Sequence, residues 1–236
     1  MEYERAIATA PPGWRHFTIS DLDRLPTWVR DHELARVPDA ERDLLAGGDA
    51  ETSERILRAF FWTFVYHLEP EKWAALARAE PIHPDLLAAL PTAPGLVLEV
   101  GAGSGRLTAH LAERSTGLFA IEPSAGLGRL LRMRLADICV LAAWAEALPF
   151  QDARFRLVAA CGLLGPDAMV LRELERVTGS GGEIVLISPE QPEWFEGNGW
   201  RHLSFDPLPP PPHDDWIDKF FGPLHPPHEL VSKRIR

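Results

Sequence analysis

A carboxylate and three glycines stand close together in the segment VLEVGAGSGRLT, residues 97–108. Glu99 lies two residues before the first glycine, and Gly101, Gly103 and Gly105 follow the spacing G-x-G-x-G. Glycine adopts positive φ at little cost and lets the backbone approach a ligand closely. A helix that begins directly after such a loop offers unpaired backbone N–H groups. The segment therefore predicts a site for a nucleotide-like ligand.

The spacing and charge of this loop narrow the kind of ligand. Dinucleotide sites use the spacing G-x-G-x-x-G, whereas position 106 is Arg here, which disfavours a nicotinamide-dependent oxidoreductase. The Glu99 carboxylate would repel a pyrophosphate and attract a cation. A ligand with an ammonium and a sulfonium group and no phosphate suits this position, and S-adenosylmethionine is such a ligand.

Short apolar runs alternate with helical patterns over residues 95–188. The predicted strands are 96–100, 118–121, 138–142, 157–161 and 183–187, and the predicted helices are 107–114, 124–135 and 167–177. Gly179, Gly181 and Gly182 are expected to end the last helix. Apolar strands that alternate with helices predict a parallel sheet covered on both faces, with a doubly wound α/β topology. Ligands of such sheets bind beyond the carboxyl ends of the strands.

Two flanking regions have different patterns. Residues 1–94 are predicted as a helical prefix with helices over 54–67, 70–79 and 83–90, the first of them capped by Thr52 or Ser53. Residues 189–236 are rich in Pro, Trp, His and Asp. In this tail we expect two strands, about 200–205 and 230–235, joined by a loop.

Four segments in order resemble class I S-adenosylmethionine-dependent methyltransferases. The first is the glycine loop, and FAIEPS (119–124) resembles the second-strand motif of that family. AEALPFQDARFRLV (145–158) and LRELERVTGSGGEIVL (171–186) resemble segments of its small-molecule branch, which includes ubiquinone and menaquinone biosynthesis enzymes. The resemblance implies a mostly parallel, seven-stranded Rossmann-like sheet over residues 95–236, completed by the last two strands as an antiparallel edge pair. It also implies methyl transfer to a small-molecule or lipid-like acceptor with S-adenosylmethionine as cofactor.

The resemblance also assigns site residues. The implied cofactor-binding residues are Glu99, Gly101, Ala102, Gly103, Gly105, Glu122, Pro123, Trp144, Ala145 and Cys161. Glu122 takes the role of the acidic residue that binds both ribose hydroxyls, and Cys161 lies near the sulfonium. No catalytic residue and no metal ligand is assigned.

Three of these assignments have alternatives. Glu122 could instead serve the start of the following helix, and Cys161 could be a small buried hydrophobe. Trp144 replaces the acidic residue that usually contacts the adenine amino group, so it either stacks on adenine or packs in the core. Two further departures from the family pattern, at Phe155-Arg156 and Gly179-Ser180, are interpreted as structural.

The prefix and the tail hold further candidates. In enzymes of this kind such prefixes fold over the cofactor, so Tyr66 and His67 are lid candidates, while Trp62 and Trp73 are expected to be core. The tail histidines and aspartates are interpreted as a loop and not as a metal site; they are His202, His213, His225, His228, Asp206, Asp214, Asp215 and Asp218.

Composition bounds the remaining classes. A formal net charge of −10 disfavours nucleic acid as a partner, because phosphate contacts need clustered Lys and Arg. Two cysteines, no apolar leader and no long uncharged apolar run favour a cytoplasmic protein with no membrane span, with homo-oligomerisation left open. A catalytically silent, methyltransferase-like partner protein is the second hypothesis, suggested by Trp144 and the short tail.

Overall fold

The computed structural model describes residues 3–162 and 164–236, so Met1 and Glu2 of the predicted prefix lie outside the described residues. These residues form two compact units. The first comprises the chain up to Leu76 together with His213–Leu224, and the second comprises Ala77–Pro212 with His225–Arg236. The functional division at residue 94, into a helical prefix and a cofactor-binding domain, stays a prediction.

The helices and strands of the described residues are as follows. The α-helices are α1 (Tyr3–Ala8), α2 (Thr27–Leu34), α3 (Asp39–Ala46), α4 (Ala50–Ala59), α5 (Phe61–Leu68), α6 (Pro70–Ala79), α7 (Pro84–Ala89), α8 (Thr108–Ala112), α9 (Ala125–Arg134), α10 (Ala168–Val177), α11 (Pro192–Gly197) and α12 (Asp215–Phe221). The strands are β1 (Ala93–Val100), β2 (Ser115–Ile121), β3 (Cys139–Leu141), β4 (Phe155–Cys161), β5 (Thr178–Ile187), β6 (Arg201–Ser204) and β7 (Glu229–Arg234). In residues 3–162 and 164–236, no helix is both long enough and apolar enough to cross a membrane.

The strands form one sheet within the second unit. Over the described residues its order is β3-β2-β1-β4-β5-β7-β6. The five strands from β3 to β5 in this order pair in parallel, and β7 pairs antiparallel with both β5 and β6. The predicted doubly wound, mostly parallel seven-stranded sheet is confirmed, as is the antiparallel pair of strands at its edge.

Both faces of this sheet are buried under helices. On one face Leu98, Val158 and Ile184 pack with residues of α10 such as Leu174. On the other face the alternate residues of the same strands pack with α7 and α8; they include Val97, Leu157 and Val185 against Leu86, Leu107 and Leu111. A fully buried aliphatic side chain of this size contributes about 1.5–3 kcal/mol. The near-continuous apolar runs of these strands follow from burial on both sides.

The predicted helix over 54–67 is wrong as a single helix. It divides into α4 and α5 at Phe60, which leaves helical geometry with φ −96° and ψ 7°. At this interruption of the helix both Phe60 and Phe61, which are adjacent in the chain, are buried. The predicted cap is also wrong, because the Asp49 side chain accepts a hydrogen bond from the Thr52 backbone N–H at 2.8 Å and α4 begins earlier.

The predicted role of the glycines after α10 is wrong as well. The helix ends at Val177, and β5 begins directly at Thr178. The glycines lie inside β5 at an irregularity, where the register against β4 shifts between Phe155 and Leu157. A Cβ at Gly182 would lie 2.7 Å from the Gly179 carbonyl oxygen, so the backbone folds too closely for a side chain there.

Several short helices are absent from the sequence prediction. They are α1, α2 and α3 in the prefix and α11 and α12 in the tail. The expected simple loop between the last two strands is therefore wrong, since α12 lies within it. Helices of six to eight residues span about two turns, so their periodicity is too short to be recognised in a sequence.

A side-chain clamp fixes residues 148–152 against α10. Arg176 donates to the Phe150 carbonyl oxygen at 2.7 Å and to the Leu148 carbonyl oxygen at 3.0 Å, and it pairs with Asp152 at 2.8 Å. Glu173 accepts from the Leu148 backbone N–H at 2.8 Å and pairs with Arg176 at 2.7 Å. The clamp thus joins the segment LPFQD (148–152) to the segment LRELERV (171–177) through side-chain contacts.

We expect Arg176→Met to lower the free energy of unfolding by about 2 kcal/mol, because it removes several charged hydrogen bonds at once. Arg172→Met on the same helix is the control, since Arg172 is exposed, and it should change the value by less than about 0.5 kcal/mol. Urea unfolding of both variants measures the difference. Equal effects of the two substitutions would contradict the clamp.

Candidate functional site

Three of the predicted site residues lie at the same edge and on the same face of the sheet. Glu99 of β1 is paired with Ala120 of β2 and with Ala159 of β4. Because side chains alternate along a strand, Glu122 and Cys161, each two residues beyond those partners, face the same side as Glu99. The carboxyl ends of parallel strands thus bring these residues together, as the sequence predicted.

The glycine loop follows directly at the end of β1. Gly101, Gly103 and Gly105 have φ of +70°, +56° and +94°, the region that favours glycine. The backbone N–H groups of Gly101 and Ala102 both donate to the Ile121 carbonyl oxygen, at 2.9 and 3.0 Å. A Cβ at Gly101 would meet no atom of the described chain within 4 Å. The space next to Gly101 is therefore free, whereas a Cβ at Gly105 would lie 2.8 Å from the Leu131 side chain.

Glu122 is buried and is engaged by the backbone through both oxygens. Its Oε2 accepts from the Gly103 N–H at 2.7 Å, and its Oε1 accepts from the Ser124 N–H at 2.7 Å. Ser124 is the N-cap of α9, so Glu122 does serve the start of that helix, which was the alternative to the ribose role. Each carboxylate oxygen has a second lone pair, so both can also accept from a diol. Burial raises the pKa of Glu122 to about 7, against the lowering effect of these two N–H groups.

Glu99 is the most deeply buried acid of the edge, with 1% of its surface exposed. Its Oε2 has no hydrogen-bonding partner among the described residues, and neither does the nearby Thr108 hydroxyl. Burial raises the pKa of Glu99 to about 8, and the Glu122 carboxylate adds to this shift, while Thr108 and Arg106 oppose it. A buried, unpaired carboxylate oxygen is costly, and a ligand cation would satisfy it.

Two other predicted contacts lie beside this group. Cys161 ends β4, and burial raises the pKa of its thiol. Trp144 and Ala145 are half-buried in the segment that follows β3, and the clamp on Leu148 fixes the end of that segment. Both alternatives for Trp144, stacking on adenine or packing in the core, stay predictions.

Arg106 is a residue of the site that the sequence analysis used only to exclude another family. Its Nη1 donates to the Glu80 carbonyl oxygen at 3.1 Å and lies 3.6 Å from Glu80 Oε2. Glu80 had no signal in the sequence, because it lies 26 residues before Arg106. The position of Arg106, directly after the third glycine, is the signal that could have identified it.

The aromatic candidates of the prefix lie within the first unit. Trp62 stacks on Phe221 with ring centroids 5.7 Å apart and an angle of 10° between the planes. Tyr66 packs edge-on against Trp73 at 4.9 Å. Burial lowers the pKa of His67 to about 4, so its ring is neutral at physiological pH. Trp62 and Trp73 are half-buried members of one aromatic cluster, and the lid roles of Tyr66 and His67 stay predictions.

Two of the tail histidines lie beside carboxylates. His213 lies 3.0 Å from Asp218 in the first unit, and His202 lies 3.2 Å from Glu229 in the second. Within residues 3–162 and 164–236, no group of three or more His, Cys, Asp or Glu could hold a metal ion.

Comparisons with known proteins agree with this architecture. Residues 97–182 match the model of a methyltransferase domain family. The chain is 34% identical over 145 residues to a protein-L-isoaspartate O-methyltransferase of Methylorubrum populi, covering 52% of this chain and 65% of that protein. It is 34% identical over 112 residues to a demethylmenaquinone methyltransferase of Beutenbergia cavernae, covering 46% of this chain and 47% of that protein. The chain thus spans less than two thirds of the length of these relatives.

A solved structure shares the fold. It is a chain from the complex of the Haloferax volcanii Trm112 methyltransferase activator with a candidate methyltransferase. The TM-score is 0.50 at 18% sequence identity, and the match covers 72% of this chain and 94% of that chain. At this identity the likeness concerns the fold alone.

The raised pKa of Glu99 predicts how stability depends on pH. A glutamate in the unfolded chain ionises near pH 4.5, whereas folded Glu99 keeps its proton until about pH 8. The folded state therefore binds more protons in this interval, so the contribution of Glu99 to the free energy of unfolding falls as the pH rises. The difference in free energy of unfolding between Glu99→Gln and the unsubstituted protein should therefore grow in favour of the variant as the pH rises. We expect it to change by a few kcal/mol from about pH 5 to about pH 8.

Urea unfolding at several pH values in this interval measures the difference. The lowered pKa of His67 acts in the opposite direction, but it is common to both proteins and cancels. Glu113→Gln, at an exposed glutamate, is the control and should show a difference that does not vary with pH. A pH-independent difference for Glu99→Gln would contradict the burial of an uncompensated carboxyl group.

Proposed function

We propose that this chain is a class I S-adenosylmethionine-dependent methyltransferase, as the match of residues 97–182 to a methyltransferase domain and its similarity to methyltransferases support, and that it binds S-adenosylmethionine at the carboxyl edge of its sheet. We propose that it transfers the methyl group of this cofactor to a small-molecule or lipid-like acceptor. The observation that carries the proposal is the unpaired Oε2 of buried Glu99, two residues before a glycine loop whose first glycine has free space around its Cβ position. A cationic amino acid group is the ligand that this oxygen requires.

The residues of the edge fit the cofactor by their chemistry. Glu99 would hold the ammonium group, the free lone pairs of Glu122 would accept from the ribose hydroxyls, and Cys161 would lie beside the sulfonium. The segment at Trp144 and Ala145 would contact the adenine. The whole proposed set is Glu99, Gly101, Ala102, Gly103, Gly105, Glu122, Pro123, Trp144, Ala145 and Cys161.

In the proposed methyl transfer, the main task of this chain is to align the acceptor with the methyl group of the cofactor. When bound, the cofactor supplies a methyl group that is already electrophilic, so no residue of the chain has to activate it. Holding an acceptor in line at near-attack distance can supply roughly 7–11 kcal/mol of the barrier. An acceptor such as a phenol or an enol would also need a base, whereas an amine would not. We assign no catalytic residue.

Two observations favour a small or lipid-like acceptor. The net charge of −10 opposes phosphate-rich acceptors, and residues 145–158 are similar to the small-molecule branch of the family. The names of the relatives do not agree on an acceptor, since they include an isoaspartate-protein enzyme and a demethylmenaquinone enzyme. A cytoplasmic location is part of the proposal, because Cys139 and Cys161 are both free thiols.

Cofactor binding tests the proposal first. We expect S-adenosylhomocysteine to bind the unsubstituted protein in calorimetry, and Glu99→Gln and Glu122→Gln each to weaken binding by at least about tenfold, or 1.4 kcal/mol. Each substitution removes a carboxyl group that can ionise to pair with the ligand, while it keeps the shape of the side chain. Glu113→Gln is the matched control and should bind as the unsubstituted protein does. Absence of binding by the unsubstituted protein would refute the proposed function.

Methyl transfer tests the acceptor class. We expect radiolabel from S-adenosylmethionine to enter the small-molecule or organic-extractable fraction of a cell extract, and Glu99→Gln to lower that incorporation in proportion to its lost affinity. Label in the protein or RNA fraction would contradict the proposed acceptor. Cofactor binding with no label in any fraction would instead support the catalytically silent alternative.

A further inference from the structure

Arg106 carries a charge that is largely removed from solvent. Its side chain is 14% exposed, and it stands in the chain directly after Gly105. Its Nη1 donates to the carbonyl oxygen of Glu80 at 3.1 Å and lies 3.6 Å from Oε2 of the same residue. Glu80 therefore provides both a hydrogen-bond acceptor and a counter-charge for this guanidinium.

Glu80 is itself fixed from a second side. Its side chain is 15% exposed, and its Oε1 accepts from the backbone N–H of His225 at 2.7 Å. Burial raises the pKa of Glu80, while the His225 N–H and the Arg106 charge lower it. One oxygen of the carboxylate is thus held by the backbone, and the other faces Arg106.

The Arg106 guanidinium also reaches the carboxyl end of β4, because a Cβ at Gly162, the residue after Cys161, would lie 3.9 Å from its Nη2. Its charge lowers the pKa of the Glu99 carboxyl and of the Cys161 thiol, although burial outweighs it at both groups. The polar groups around Glu99 are Glu122 directly after β2, Cys161 at the end of β4, Thr108 of α8 and Arg106 directly after the glycine loop. Arg106 is the cation in this set. A guanidinium that turned onto Glu99 would occupy the carboxylate oxygen that we assign to the cofactor ammonium.

We infer that Glu80 is a positioning residue that keeps Arg106 away from Glu99, so that the unpaired Oε2 of Glu99 stays available to the ammonium group of the cofactor. The inference rests on the proposed function. If Glu80 lost its charge, Arg106 would be a largely buried cation without a counter-ion, and Glu99 is a carboxyl on which its charge already acts. The internal ion pair would then compete with the ligand.

The test uses Glu80→Gln, which removes the charge and keeps an oxygen that can accept from the His225 N–H. We expect the affinity for S-adenosylhomocysteine to fall about tenfold or more. At pH 7.5 the unsubstituted protein should release a proton on binding, because Glu99 ionises to pair with the ammonium. In Glu80→Gln this release should disappear, because Arg106 has already ionised Glu99. Calorimetry in two buffers of different ionisation enthalpy measures both quantities.

A second variant separates positioning from a merely structural role. In the double variant Glu80→Gln/Arg106→Met the competing cation is absent, so proton release should return and the affinity should approach that of Arg106→Met alone. Glu113→Gln is again the control for the loss of a carboxylate. If Glu80→Gln bound S-adenosylhomocysteine more weakly but released the same number of protons, Glu80 would have a structural role only and the inference would be overturned. The same holds if the double variant bound as weakly as Glu80→Gln.

The outcomes also distinguish this inference from the proposed function. If the unsubstituted protein binds S-adenosylhomocysteine and Glu80→Gln binds equally well, the inference fails and the proposed function stands. If the unsubstituted protein does not bind, the proposed function fails and the inference fails with it.

Discussion

A carboxylate buried at the end of the central strand, with one oxygen unpaired, is the constraint on which the other features of the site depend. Desolvation disfavours the charged form of Glu99 and raises its pKa to about 8. Such a group persists only where the surrounding structure fixes it. Here β1 lies between β2 and β4, and its register places Glu99 beside Ala120 and Ala159. The folded protein thus fixes an unpaired carboxylate oxygen, which a cation could pair with, next to the start of the glycine loop.

The charged residues next to Glu99 already have partners of their own within the protein. Each carboxylate oxygen of Glu122 accepts one hydrogen bond from a backbone N–H. These two bonds connect the glycine loop and the start of α9 through a single carboxylate. The same residue can therefore shape the loop and contact a ligand. Arg106, the cation closest in the chain to the loop, is paired with Glu80 instead. Arg106 and Glu80 balance each other, so a cationic ligand would provide the positive charge that Glu99 and Glu122 lack.

The two segments that resemble the small-molecule branch are joined in space by one pair of residues. Arg176 and Glu173 of α10 take up both carbonyl and N–H groups of residues 148–150. In a similar way Arg156, at one of the departures from the family pattern, donates to the Ser180 carbonyl oxygen at 2.6 Å. This contact supports the interpretation of that departure as structural. In both cases an arginine side chain holds backbone carbonyl groups more than 20 residues away in the chain.

The amino-acid sequence by itself determined the alternation of strands and helices, the edge of the sheet that carries the site, and the places of Glu99, the glycines and Glu122. These features are local, because each depends on residues within about one strand, turn and helix, and the doubly wound topology follows from the handedness of the crossovers. Only the tertiary structure decided the break at Phe60, the start of β5 at Thr178 and the pairing of Arg106 with Glu80. These depend on partners distant in the chain, such as Glu80 and His225, 145 residues apart. Burial, which sets the pKa of Glu99, is likewise a property of the assembled core and not of any local pattern.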